Sequence, residues 1–175
     1  TRVLGTNPLS FAVPDGQGGT AMLFDQSTTT TALGRITMAK AAGQPIPEGW
    51  AVDAEGQPTT DAASALQGSL TSSGGYKGWG LGLMVEVLAA CLTGGTLSAD
   101  VKPLKAPEGA PHDLGQVFVL IHPGNAGFFE RVETLAGIVT QDAGARVPGR
   151  GKQPATQVEV PDALWSQLQE LAGTV

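Results

Sequence analysis

Two periodicities run along this chain. Residues 9–13 (Leu-Ser-Phe-Ala-Val) alternate between apolar and polar and meet Pro14-Asp15-Gly16, which predicts a strand closed by a turn. Residues 21–24 form a short apolar run that fits a buried strand, with the polar cluster Asp25-Gln26-Ser27-Thr28-Thr29 at its end. Residues 31–42, with Leu33, Ile36 and Lys40 or Met38 marking faces, predict a helix that Gly43 ends. The next stretch, 45–61, holds Pro45, Pro47 and Pro58 with Gly49 and Gly56, so it is expected to be an irregular excursion.

Residues 79–92 are apolar nearly all round, with Glu86 the one charge, which predicts a helix buried on most faces and stopped by Gly94-Gly95. Residues 98–113, rich in proline and charge, predict a loop. Residues 116–121 (Gln-Val-Phe-Val-Leu-Ile) show no alternation after Gln116 and predict a central strand covered on both faces. Phe128, Val132, Leu135, Ile138 and Val139 mark an amphipathic helix ending near Gly144, and Leu164, Trp165, Leu168 and Leu171 mark another over 162–172. Between them, 145–152 is a basic, irregular loop. There are no internal repeats.

The stretch from Ser72 to Gly82 packs five glycines around Lys77 ahead of the most apolar helix. Glycine lets a backbone approach a ligand, and a helix start offers unpaired N–H groups to an anion such as phosphate. A glycine-rich turn with Lys77 merely solvated fits the same residues. Neither standard phosphate motif is present. Lys77 is followed by Gly78 rather than a hydroxyl, and Gly78, Gly80 and Gly82 are spaced by two with no apolar strand before them. The cluster at 25–29 is likewise open to two readings: a ligand position at a strand end, or a set of hydroxyls from which Ser27, Thr28 or Thr29 caps the next helix.

Composition narrows the function classes. A length of 175 residues with 41% hydrophobic content suits one domain with a sizeable core. Ten basic residues are scattered among 16 acidic ones for a net charge of −6, which argues against a nucleic-acid partner. One cysteine, Cys91, excludes a disulfide within the chain and a cysteine-based zinc site; its apolar setting predicts core packing, and no metal is expected. The apolar segment 79–92 is too short to span a bilayer and no leader is visible, so a cytoplasmic protein is expected. His112 and His122 lack partners at triad or metal spacing and are expected to be structural.

Four motifs stand in a familiar order: Gly-Thr-Asn-Pro at 5–8, Phe-Asp-Gln-Ser-Thr at 24–28, Ile-Pro-Glu-Gly-Trp-Ala-x-Asp at 46–53 and Gly-Gly-Tyr-Lys-Gly at 74–78. Leu-Thr-Gly-Gly at 92–95, Arg-Val-Pro-Gly at 146–149 and the last amphipathic helix agree with them. In this order and spacing the chain resembles the C-terminal half of the malate/L-lactate/sulfolactate dehydrogenase family, a non-Rossmann group of oxidoreductases. The resemblance implies an α/β fold, a mixed β-sheet flanked by helices, and hydride transfer between NAD or NADP and a 2-oxo or 2-hydroxy acid. Malate, lactate, sulfolactate and cyclic imino acids are the candidate substrates, with a lean toward sulfolactate. It also implies that Thr6, Asp25, Gln26, Ser27, Thr28, Lys77, Gly78, Arg146, Gly149 and Arg150 contact the cofactor.

The family's N-terminal half, with its catalytic histidine, has no counterpart in these 175 residues. The whole chain, 1–175, is therefore expected to be the cofactor-binding portion of a homodimeric enzyme completed by that half, and no catalytic residue is assigned. A different class of function is a non-catalytic nucleotide-binding or interaction subunit that works as it stands. Thr1 as an N-terminal nucleophile is a third, for which nothing beyond its position speaks.

Overall fold

The computed structural model describes residues 3–102, 111–152 and 155–173. Thr1, and residues 103–110 of the loop expected at 98–113, lie outside the described residues.

The chain opens with an antiparallel hairpin of β1 (Leu9–Pro14) and β2 (Thr20–Gln26). Its turn is built by Asp15, whose Oδ1 accepts from the backbone N–H of Gln17 at 2.7 Å and of Gly19 at 2.8 Å. Phe11 and Phe24, cross-strand partners, stack at 5.7 Å. β2 extends through Asp25 and Gln26, and only Ala21 in it is buried, so the expectation of a buried strand at 21–24 is corrected. A two-stranded ribbon has two faces and two edges, and within the described residues little covers them.

Helix α1 (Leu33–Ala41) ends in a Schellman motif: the N–H of Gly43 reaches Lys40 O at 3.1 Å, that of Gln44 reaches Ala39 O at 2.9 Å, and Gly43 takes φ +63°. It starts two residues later than expected. Its N-cap is Ala32, with no side-chain cap, which rules out Ser27, Thr28 and Thr29 as caps. The proline-rich excursion contains two short strands, β3 (Ala51–Val52) and β4 (Pro58–Thr59). With β5 (Ser69–Leu70) they form an antiparallel sheet ordered β4-β3-β5, and α2 (Ala62–Gln67) is capped by Asp61, which accepts from Ser64 N at 2.7 Å. Here lies the core cluster of Ile36, Ile46, Ala51, Ala62 and Ala65, with Trp50, Leu66 and Leu70 packed against it. Both sheets are antiparallel among the described residues.

Helix α3 (Tyr76–Glu86) begins three residues before the predicted start and runs into a π-helical turn, Val87–Cys91. The prediction of burial on most faces is corrected: Trp79, Leu81, Leu83, Met84 and Val87 are exposed, and burial is confined to Gly78, Gly82 and Ala90. Cys91 is exposed as well, against the expectation of a core position. A larger correction falls on residues 116–121. They form no strand and pair with nothing among the described residues, and Phe118, Val119, Leu120 and Ile121 stand 79%, 76%, 90% and 80% exposed. A continuous apolar run becomes a central strand only when neighbours supply both hydrogen-bonding edges.

Helices α4 (Phe128–Val139) and α5 (Asp162–Ala172) start where the periodicity predicts them, but α4 stops at Val139, with Thr140 as its C-cap, short of the end expected near Gly144. α4 buries Ala136 and sets Phe129 against Gly16 of the hairpin turn, whereas the apolar stripe of α5 is exposed. No described helix is long and apolar enough to cross a membrane.

Candidate functional site

Three separate motifs meet beside the end of β2. Thr28 donates its backbone N–H to Thr6 O at 2.9 Å and its Oγ1–H to the same oxygen at 3.2 Å. On its other side, Thr28 O accepts from Ser73 N at 2.9 Å, while Thr30 N donates to Thr71 O at 2.9 Å across the Thr29–Ser72 bridge. Thr6, the loop after β2 and the segment entering α3 are thus laced into one backbone ledge. Ser27 and Thr29 lie within it, with Thr29 Oγ1 donating to Thr31 O at 2.8 Å and lying 2.9 Å from Ser27 Oγ.

The glycines of the entry to α3 have distinct causes. Gly74 and Gly75 take φ of +69° and +64°, a region that costs other residues strain, and space around each is open. Gly78 is buried, and a Cβ there would overlap the carbonyl oxygen of Ser73. Glycine at 78 therefore lets the first turn of α3 press onto the strand-like segment held by Thr28. The N-cap is Gly75, with no side-chain cap, and Trp79 N donates to Gly75 O at 3.0 Å as the first helical bond at this end. The N–H groups at Tyr76, Lys77 and Gly78 precede it in the first turn, with the exposed Lys77 among them. Uncapped N–H groups, a positive dipole end and an ammonium form a donor set suited to a phosphate.

A polar cluster that sequence reading passed over supports this ledge from behind. Asn7, 8% exposed and in the left-handed region at φ +36°, donates from Nδ2 to Gly82 O at 2.9 Å and to Glu86 Oε2 at 2.8 Å. Ser98 donates its N–H to Glu86 Oε1 at 2.6 Å and its hydroxyl to Oε2 at 2.5 Å. Burial pushes the Glu86 carboxyl upward in pKa, but the hydrogen bonds from Ser98 and Asn7 outweigh it and leave the group below its ordinary value. The signal available in the sequence was Glu86 itself, the lone charge of an apolar helix.

The basic loop lies elsewhere on the hairpin. Val147 is buried, Leu23 N donates to Pro148 O at 2.9 Å, and Gly149, at φ +74°, sits so close to Leu23 that a Cβ would overlap its backbone. This sets Arg146, Gly149 and Arg150 against β2 two residues before Asp25. Arg150 turns onto α4, where its fork meets Glu133 at 3.1 and 2.6 Å. Asp25, Gln26, Lys77 and Arg146 are exposed, and among the described residues their side chains make no hydrogen bond or ion pair. Of the predicted residues, Thr6, Ser27, Thr28, Lys77 and Gly78 share the ledge, Asp25 and Gln26 border it as the end of β2, and the 146–150 loop joins only through Leu23. His112 Nε2 lies 3.1 Å from Lys102 O, and His122 is exposed; neither lies among these segments.

A profile of the malate/L-lactate dehydrogenase family matches residues 1–169. The chain belongs to that family. It is 37% identical over 175 residues to the (2R)-3-sulfolactate dehydrogenase (NADP(+)) of Chromohalobacter salexigens, a match covering 96% of this chain and 52% of that one. Its identity to a Δ1-pyrroline-2-carboxylate reductase of Pseudomonas fluorescens is 38%, over 97% of this chain and 53% of the relative. Among solved structures, sulfolactate dehydrogenase from Methanocaldococcus jannaschii superposes with a TM-score of 0.78 at 30% identity, over 99% of this chain and 54% of that one. The Δ1-piperideine-2-carboxylate reductase of Pseudomonas syringae pv. tomato gives 0.76 at 32%, over 95% and 53%. The expected α/β family fold is thereby established. The chain spans about half the length of the curated relatives it matches.

Proposed function

We propose that this chain is the cofactor-cradling portion of an oxidoreductase that transfers hydride between NAD or NADP and a carboxylic acid bearing an adjacent C=O or C=N. The observation that carries the reading is the backbone ledge: Thr28 bonded at once to Thr6 and to Ser73 draws the family motifs at 5–8, 24–28 and 74–78 together. The relatives' names add the substrate class, a 2-hydroxy acid in one case and cyclic imine carboxylates in others.

The nicotinamide group would supply the hydride. On the protein side, Lys77 and the N–H groups of the first turn of α3 hold a phosphate, with Gly78 permitting the close approach. Thr6, Ser27 and Thr28 present hydroxyl and backbone groups, and Asp25 and Gln26 border the site from β2. Arg146 and Gly149 flank the site through the loop's contact with Leu23, and Arg150 would join them only by leaving Glu133. Reduction of C=O also needs a proton donor beside the new alkoxide; His112 and His122 lie away from the ledge, so that donor is assigned to the part of the polypeptide that the relatives carry beyond the matched half. The reading includes a cytoplasmic homodimer, checked by the subunit mass of the complete protein in sedimentation.

The test uses the complete polypeptide. Loss of the charge-assisted contact in Lys77→Ala should weaken dinucleotide binding by about 10- to 150-fold, equivalent to about 1.5–3 kcal/mol. An unchanged dissociation constant removes Lys77 from the cradle. If neither NADH nor NADPH is consumed with pyruvate, sulfopyruvate or Δ1-pyrroline-2-carboxylate, the oxidoreductase reading falls.

A further inference from the structure

The basic loop 146–152 carries Arg146, Arg150 and Lys152. Among the described residues Arg150 alone of these is paired: its fork grips both carboxylate oxygens of Glu133 on α4, while Arg146 and Lys152 are exposed and make no ion pair. That pair is not what holds the loop. Val147 is buried, Leu23 N donates to Pro148 O at 2.9 Å, and Gly149 fits against the Leu23 backbone, all without it. Helix α4 is likewise placed by other contacts, through buried Ala136 and through Phe129 against Gly16. The two charged side chains are 40% and 48% exposed, and an exposed pair adds little to stability. A guanidinium fork offers parallel N–H donors that match a carboxylate or a phosphate. Glu133 thus occupies Arg150 in the manner of a phosphate.

We propose that Glu133 is an internal competitor for a phosphate group of the cofactor: it holds Arg150 in the unliganded protein, yields it when the dinucleotide binds, and so lowers cofactor affinity. The inference rests on the reading of this chain as a dinucleotide cradle. Position favours the exchange. The Arg150 backbone is fixed next to Gly149 against Leu23, two residues before Asp25 at the border of the ledge, so a change of side-chain rotamer is enough to change its partner. Charge favours it as well. A dinucleotide brings two negative charges in its diphosphate bridge or in a 2′-phosphomonoester, and either meets the unpaired Arg146 and Lys152 in addition to Arg150. Glu133 offers one negative charge to one cation.

The experiment measures dissociation constants of NADH and NADPH on the complete polypeptide by titration calorimetry, for the parent, Glu133→Gln, Arg150→Ala and the double variant. Glu133→Gln frees the guanidinium and keeps the side-chain shape, so binding should tighten about two- to fivefold. Arg150→Ala should weaken it about three- to tenfold, and in that background Glu133→Gln should change it by less than about 1.5-fold. A gain confined to NADPH assigns the 2′-phosphomonoester as the group that takes Arg150; a gain that includes NADH assigns the diphosphate bridge. Unchanged or weakened binding in Glu133→Gln overturns the proposal, the latter being the result for a pair that only supports the fold. An equal gain with and without Arg150 marks a general charge effect and overturns it too. A parent that binds neither dinucleotide removes the cofactor reading and this inference with it, whereas normal parent binding with no gain in Glu133→Gln removes this inference alone.

Discussion

Gly78 and Asn7 show how single residues set the ledge. Any side chain at 78 meets the Ser73 carbonyl, a backbone atom that can move only by breaking its segment's bonds to Thr28. Gly78→Ala is therefore expected to destabilise the complete protein by about 1–3 kcal/mol in chemical denaturation and to weaken dinucleotide binding, whereas Gly80→Ala, facing open space, should leave binding unchanged. The Asn7, Glu86 and Ser98 cluster predicts a pH dependence. Because the folded-state pKa of Glu86 is depressed, its stabilising contribution is present above the ordinary glutamate value, about 4.3, and is lost as pH falls through the lower folded value. Denaturation midpoints of Asn7→Ala and Ser98→Ala should accordingly show a shallower fall on acidification than the parent. Glycine 78 is visible in the sequence as a motif letter, but its cause is not, since Ser73 and Thr28 meet it only through folding.

At the scale of elements, the 146–150 loop and the hairpin form one unit through Leu23 and Gly149. Gly149→Ala combines a positive φ with overlap onto the Leu23 backbone, so it should release the loop from β2. Trypsin cleavage at Arg146 and Arg150 is expected to accelerate in that variant, while Glu133→Gln, which loosens one exposed ion pair, should alter cleavage far less. Helices were the legible elements. The 3.6-residue stripes of α4 and α5 report local geometry and place both helices, although α4 stops at Val139 rather than near Gly144. The short strands β3, β4 and β5 were hidden because two-residue ladders have no period to detect, and each is defined by its partner.

For the whole molecule, the balance of buried and exposed apolar surface is the main finding. The clustered core is small, and the apolar sides of α3, the π-helical turn, residues 117–121 and α5 are exposed. On the proposed reading, in which further polypeptide covers this surface, the 175-residue chain should bind a hydrophobic dye such as ANS much more strongly per mole than the longer protein. Cys91, exposed here, should react rapidly with a thiol reagent in the isolated chain. Equal dye binding by the two proteins would mean that this surface is free in both.

The sequence by itself determined the family, the hairpin, the helical stripes and the identity of the residues drawn to the ledge, because motif order and local periodicity are properties of the chain. It also marked residues 79–92 and 116–121 as apolar enough to be buried. Which of the predicted site residues share a surface was decided by tertiary structure alone, through the bonds of Thr28 to Thr6 and Ser73 and the turning of Arg150 onto Glu133. Tertiary structure also decided that the two apolar segments are bare within this chain. The physical reason is that hydrophobicity states a need for cover without naming the neighbour, whereas hydrogen-bond partners and covered faces exist only once distant segments have met.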